Sequence, residues 1–293
     1  MAETIRWGLS VDSAGVTGPF EMSYFLYKPA IAAHPEGFVG FEVFPWLSRK
    51  YTWSIIKKAE ALRVQIASIH GQTGGVHEAY GLRNRAIMTV LNWGMVDTCE
   101  LIREFGQKVP RILVHTPVIH SKDVRDLLYQ QPKLVKCLAV ENHVHFGATG
   151  SALEAALMLK NMGVNTEVVF DLFHCWSANN HLPDDKRWNE VCRQNKMLLD
   201  AAAAYGFKVS YHVPIGPGGD GLPSEFITDI SYGRYWRQLA KALEQAEKSG
   251  LVGTRTIENQ QKFWQAIVVY GAVFQQRAWN KQVVKVLASE GII

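Results

Sequence analysis

The sequence predicts one (β/α)8 (TIM) barrel, an α/β fold formed by residues 1–293 as a single domain, with its site at the C-terminal ends of the strands. Three observations predict it. Eight short runs rich in β-branched and apolar residues recur along the chain, each with the length and composition of a buried parallel strand. Stretches of helical period lie between them and tend to end at a glycine just before the next run, as in AAAAYGFKV and ALMLKNMGV. That is the pattern of a helix C-cap followed by a strand. Finally, ionisable residues gather at the C-terminal ends of the runs, where a barrel of this kind builds its site.

The elements follow in order. Ile5–Asp12 is the first strand-like run and Gly37–Pro45, which contains Glu42, the second. The helical stretch Trp53–Leu62 leads to the third, Val64–Gly71, which ends at His70. Val90–Phe105 precedes the fourth, Arg111–Pro117, with His115 near its end. Cys137–His143 is the fifth and carries Glu141; Ser151–Met162 then leads to the sixth, Thr166–His174, which carries Asp171 and His174. After Arg187–Tyr205 comes the seventh, Phe207–Ile215, with His212, and after Tyr232–Ser249 the eighth, Thr254–Gln260, with Glu258. Strand and helix alternating eight times over a chain of about 250–300 residues is the (β/α)8 pattern.

Composition limits the function classes. A 293-residue chain that is 47% hydrophobic can bury one large core, and its glycines and prolines are scattered rather than gathered in a linker. No run of about 18 apolar residues marks a membrane span. MAETIRWG lacks the charged-then-apolar layout of a signal peptide, so the expected location is cytoplasmic. Four cysteines show no CxxC or zinc-finger spacing, which points to free thiols in a reducing compartment. The net charge of +4 is mixed along the helices, as in EQAEK and KDVRD, with no polybasic run. The expected partner is therefore a small molecule rather than nucleic acid or membrane.

Glu141, Asp171, His212 and Glu258 end four consecutive runs. Closed into a barrel, three carboxylates and one imidazole would converge as a hard-to-borderline site for one divalent cation, and Mn, Mg, Co, Zn and Fe all suit that donor set.

The order of these residues resembles the xylose isomerase-like barrel superfamily. That group includes ketose 3-epimerases of the tagatose/psicose type, hydroxypyruvate isomerases, inosose and dehydroshikimate dehydratases, and family-2 AP endonucleases. The resemblance runs over almost the whole chain. Its most specific part is Glu on the fifth strand, D-x-x-H on the sixth, His on the seventh and Glu on the eighth, here Glu141, Asp171 with His174, His212 and Glu258. It implies a metal-dependent isomerase or epimerase acting on a sugar or small hydroxy-carbonyl compound through an enediolate. In that role Glu141 and Glu258 are both ligands and acid/base groups, and His174 contacts a substrate oxygen. His70 and His115 match positions that contact substrate in single-metal members and bind a second metal in endonuclease-like ones; capping a strand end is the plainer role. The same residues also suit a dehydratase or other lyase, or an AP endonuclease-like phosphodiesterase. Against the last, HVPIGPGGDGLPSEF places Leu222 where the endonuclease pattern Asp-x-His has its histidine, with Asp220 as the Asp. An apolar leucine cannot complete a three-metal cluster. Relatives often form dimers or tetramers, so a homo-oligomer is left open.

Further residues flank the expected mouth. Trp7, Phe44, Trp46, Phe173 and Trp176 are aromatic candidates for a sugar pocket, with Trp176 taken as a substrate contact and core packing as its alternative role. Glu42 either touches substrate or caps its strand. Arg83 and Arg85, in the glycine-rich GQTGGVHEAYGLRNR, either grip an anion or are simply solvated. His143 and His145 share the direction of Glu141 if the extended conformation continues.

Overall fold

The computed structural model describes residues 7–10, 38–43, 65–71, 98–143, 148–214 and 233–258, with isolated positions between 53 and 61. The strands are β1 (Trp7–Ser10), β2 (Phe38–Val43), β3 (Ile66–His70), β4 (Ile112–His115), β5 (Leu138–Glu141), β6 (Thr166–Asp171), β7 (Lys208–Pro214) and β8 (Val252–Glu258). The helices among the described residues include α1 (Thr98–Phe105), α2 (Thr116–Ile119), α3 (Lys122–Gln130), α4 (Ala148–Asn161), α5 (Leu172–Ala178), α6 (Asp184–Tyr205) and α7 (Gly233–Lys248). Strand order follows chain order from β1 to β8, and β8 pairs back onto β1 in parallel, Gly8 opposite Thr256. This is the (β/α)8 order that the sequence predicts.

Internal contacts divide the chain into a first unit, residues 1–39 and 170–293, and a second unit, residues 40–169. In the second unit β2 to β6 pair in parallel, each with its neighbour. Every residue of β4 and β5 is buried, as expected of parallel strands covered on both faces. Leu113, Ala139 and Val169 form one fully buried cluster. Helix α1 covers this sheet with Cys99, Leu101, Ile102 and Phe105, and α3 buries Val124, Leu127 and Leu128. Both show the three-and-four spacing of a single helical face.

In the first unit β7 and β8 pair in parallel, with His212 opposite Thr256 and Pro214 opposite Glu258. Helix α6 starts with Asp184 and Asp185, whose charges favour the positive end of the helix dipole. It buries Trp188, Val191, Leu198 and Ala202 along one side. Its C-terminal half packs toward β7, where the Tyr211 hydroxyl donates to the side-chain Oδ1 of Asn195 at 2.8 Å. Helix α7 packs on α6 through stacked Trp188 and Tyr235, centroids 6.0 Å apart. The Tyr235 hydroxyl donates to the Asp185 carbonyl at 2.9 Å.

Several expected strands end early, and for two of them the sequence supplies the reason. The fourth run stops at His115 because Pro117 occupies the first turn of α2, a position that needs no backbone N–H. The sixth stops at Asp171 because that side chain caps α5, accepting the His174 N–H at 2.7 Å. The D-x-x-H motif is therefore a strand-to-helix junction rather than the tail of a strand.

The four cysteines are free, with Cys99 and Cys175 buried. Among the described residues no helix is long and apolar enough to cross a membrane.

Two changes test this architecture. Gly206 ends α6 in the left-handed region at φ 67°, its N–H bonded to the Ala202 carbonyl at 2.8 Å. Gly206→Ala should destabilise by about 1–2 kcal/mol in thermal unfolding, and Gly206→Asn by less, because asparagine tolerates that conformation. Burial, aided by the charge of Glu167, pushes the Cys137 thiol from 9.0 up to about 12. The folded chain keeps a proton there that the unfolded chain releases near pH 9, so stability drains away as pH rises through that interval. Cys137→Ala should flatten the alkaline limb of the urea-unfolding stability curve between pH 9 and 12.

Candidate functional site

Side chains on a strand alternate between its two faces. In the second unit, Arg111, Leu113 and His115 share one parity along β4 and its entry, as do Ala139 and Glu141 on β5, and Glu167 and Val169 on β6. The registers Leu113–Ala139, His115–Glu141, Ala139–Glu167 and Glu141–Val169 align these sets across the sheet. The apolar cluster of Leu113, Ala139 and Val169 therefore lies between two polar levels.

The level at the strand ends consists of His70, His115 and Glu141, which are 2%, 3% and 1% exposed. Both imidazoles approach the same carboxylate oxygen, Oε2 of Glu141, through their Nε2 atoms, His70 at 3.0 Å and His115 at 3.1 Å. His70 Nδ1 lies 2.8 Å from the Gly71 carbonyl oxygen; that nitrogen must donate, which fixes the orientation of the ring. The Thr116 hydroxyl donates to the Glu141 carbonyl at 2.9 Å. Gly71 lets β3 approach β4 this closely: a Cβ there would meet the Leu113 carbonyl oxygen at 3.0 Å and the Val114 side chain at 2.9 Å. The His143 ring lies edge-on to His115 at 4.9 Å, though β5 ends at Glu141 and the extended conformation does not continue to it as strand.

The opposite level is built on Arg111, a residue that sequence reasoning did not single out. Its guanidinium pairs with Glu167 and reaches Glu42 Oε2 at 3.6 Å. The Ser68 hydroxyl donates to the same Glu42 oxygen. Burial would pull the Arg111 pKa down, but Glu167 and then Glu42 more than offset this and hold it above its ordinary value. Glu42, expected to touch substrate or cap a strand, is fully buried and has a carboxylate oxygen within 4.8 Å of a His70 ring nitrogen. The available signal was the arginine placed directly before the apolar run ILVH.

In the first unit the structure brings Asp171 and His212 together, 2% and 0% exposed. Asp171 Oδ2 lies 3.8 Å from His212 Nδ1, while Oδ1 accepts the His174 N–H. His174 is half-buried, with its ring 6.4 Å from Phe173. Trp176 stacks against Phe173 at 6.4 Å, and the Arg187 guanidinium covers its ring at 3.6 Å. Glu258 closes β8 as the register partner of Pro214, two residues beyond the partner of His212. Trp46, Phe44, Arg83, Arg85, His145, Asp220 and Leu222 lie outside the described residues, as does the side chain of Trp7.

Among the described residues, one grouping within each unit suits a divalent cation. His70, His115 and Glu141 place one ligand atom each within 4.8 Å of one another, all buried. This N,N,O set fits a borderline ion. Asp171 and His212 offer a carboxylate oxygen and an imidazole nitrogen 3.8 Å apart, within the span of two ligands each bound at about 2.0–2.2 Å.

No family model matches the chain, and no curated protein does. Solved structures do. A D-psicose 3-epimerase from Clostridium cellulolyticum H10, in complex with D-tagatose, is 11% identical over 99% of this chain and 100% of its own, with a TM-score of 0.50. A structure described as AsfvAP:AG is 11% identical over 96% of this chain and 99% of its own, also at 0.50. A D-tagatose 3-epimerase-like protein is 13% identical over 98% and 99%, at 0.47. The two likenesses at 0.50 show the fold alone, a (β/α)8 barrel.

Removing the charge that holds the lower level should be costly. Arg111→Met leaves Glu42 and Glu167 without their shared cation, and should lower stability in urea unfolding by about 3–5 kcal/mol. Adding Glu42→Gln and Glu167→Gln should restore most of the loss, because the stranded charges go with it. A triple variant no more stable than Arg111→Met would show that the cluster matters for shape rather than charge.

Proposed function

We propose that the chain is a divalent-metal-dependent isomerase or epimerase acting, as one (β/α)8 domain, on a sugar or a small hydroxy-carbonyl compound. The observation that carries this reading is the buried Asp171–His212 pair, a carboxylate and an imidazole 3.8 Å apart. In this reading Glu141 and Glu258 complete the ligand set, through the order of the four residues along the chain. The likeness in fold to an epimerase solved with D-tagatose supports a ketose-type substrate.

When bound, a divalent ion would polarise the substrate carbonyl. The chain's own groups do the rest. Glu141 and Glu258 serve as the acid/base pair, one removing the proton from the carbon beside the carbonyl and the other returning one. His70 and His115 hold the Glu141 carboxylate through Oε2, so it meets substrate in a fixed orientation. His174, half-buried at the start of α5, contacts a substrate oxygen.

A second reading, phosphodiester hydrolysis with more than one metal, is favoured by the His70–His115–Glu141 group alone. Metal content distinguishes the two: one ion per chain supports the isomerase, two or more the hydrolase.

With Mn²⁺ present, incubating ketoses in deuterated water should place deuterium on one carbon of the true substrate or its product. Glu141→Gln, which keeps a ligating oxygen but removes the base, should slow that exchange by about 10²–10⁴-fold. A wild-type protein that exchanges nothing and nicks abasic DNA would replace this reading with the hydrolase.

A further inference from the structure

Helix α5 holds two of the proposed site residues in only seven residues of helix. Asp171 is its N-cap, and His174 supplies the N–H that the Asp171 side chain accepts. An isolated helix of this length is marginal in water, so something outside it must hold its geometry. Part of the anchoring is internal and part comes from the next helix. Cys175 is buried and its thiol donates to Gln194 Oε1 at 3.3 Å. The Asn179 side-chain amide donates back to the Cys175 carbonyl at 2.8 Å. The next helix supplies a second anchor besides Gln194. Arg187, in the first turn of α6, places its guanidinium 3.6 Å from the Trp176 ring centroid. Its Nε–H donates to the Asn179 carbonyl at 3.1 Å. Its Nη1 pairs with Asp184 at 3.2 Å, which orients the planar group while its face lies on the indole. The Arg187 side chain is only 12% exposed, and Phe173 stacks near the same indole.

We propose that Arg187 is a positioning residue: by clamping Trp176 and the Asn179 carbonyl it pins helix α5, and through that helix it sets the carboxylate of Asp171 and the placement of His174. The inference rests on the metal-site reading for its functional consequence, but not for the clamp itself. It also gives Trp176 a role that differs from a sugar-stacking wall, since the guanidinium occupies a face of its ring. Arginine suits the position because one rigid planar group stacks and donates at once; a lysine ammonium can do either, as a point charge.

Hydrogen–deuterium exchange and Mn²⁺ titration on the full chain test the proposal. Arg187→Met should raise deuterium uptake in the peptide covering residues 172–179 while leaving β7 and the middle of α6 unchanged. It should weaken Mn²⁺ binding in calorimetry by about 10-fold or more, the loss typical when a group supporting a metal ligand is removed. Arg187→Lys should fall between wild type and Arg187→Met in both measurements. Arg193→Met, which removes an exposed arginine of the same helix paired with Glu190, should change neither. Unchanged uptake in residues 172–179 overturns the clamp. Raised uptake with unchanged Mn²⁺ affinity overturns its link to the site and leaves Arg187 merely structural. If wild type binds no Mn²⁺, the metal reading fails, and the uptake comparison still decides whether Arg187 pins the helix.

Discussion

Glu42 and Glu141 are 0% and 1% exposed, and an ionised carboxylate taken out of water loses several kcal/mol of solvation unless charged or hydrogen-bonding groups replace it. Much of the second unit is arranged around that requirement. Arg111 and Ser68 serve Glu42, and His70 and His115 serve Glu141. Each partner comes from a different strand, so the carboxylates are satisfied only if β2, β3, β4 and β5 hold their observed registers. A one-residue slip in any of them would turn the partner to the other face, and the stranded charge would penalise the slip. The buried charges therefore act against alternative pairings.

The apolar level between the two polar ones makes this arrangement tolerable. Leu113, Ala139 and Val169 are fully buried and supply the close packing that orders the strands. They also separate Arg111 with Glu167 from the histidine level. Alternation along β4, with arginine, leucine and histidine at every second position, is the simplest expression of this design. The same alternation places Glu141 and His115 side by side as register partners, so the Glu141 carboxylate is oriented by backbone geometry.

The first unit solves a different problem. There the chain must turn sharply from β6 into α5, and Asp171 does this by capping the helix. Using one oxygen on the backbone fixes the carboxylate, and the second oxygen is directed toward His212. One side chain thus both ends the strand and faces His212. A cap on so short a helix is only as rigid as the helix, which gives the stack of Arg187 on Trp176 its importance.

Strand-like runs, helical faces and glycine caps are legible in the sequence because they depend on neighbours a few residues away. The positions of His70, His115, Glu141, Asp171 and His212 at strand ends are legible for the same reason. The capping role of Asp171 was readable in principle from Asp followed three residues later by an available N–H, but the apolar run around it reads equally well as strand. Pairing across strands is another matter. Arg111 and Glu167 are separated by 56 residues, and nothing in either segment names the other. That His70 and His115 converge on one oxygen of Glu141 follows from the stagger between β3, β4 and β5. The clamp of Arg187 on Trp176 follows from how α6 returns across α5. The chain's local chemistry determined which elements form and which ionisable groups end them; only the tertiary structure decided which of those groups share a proton, a charge or a cation, because register and helix packing are set by the closed order of strands as a whole.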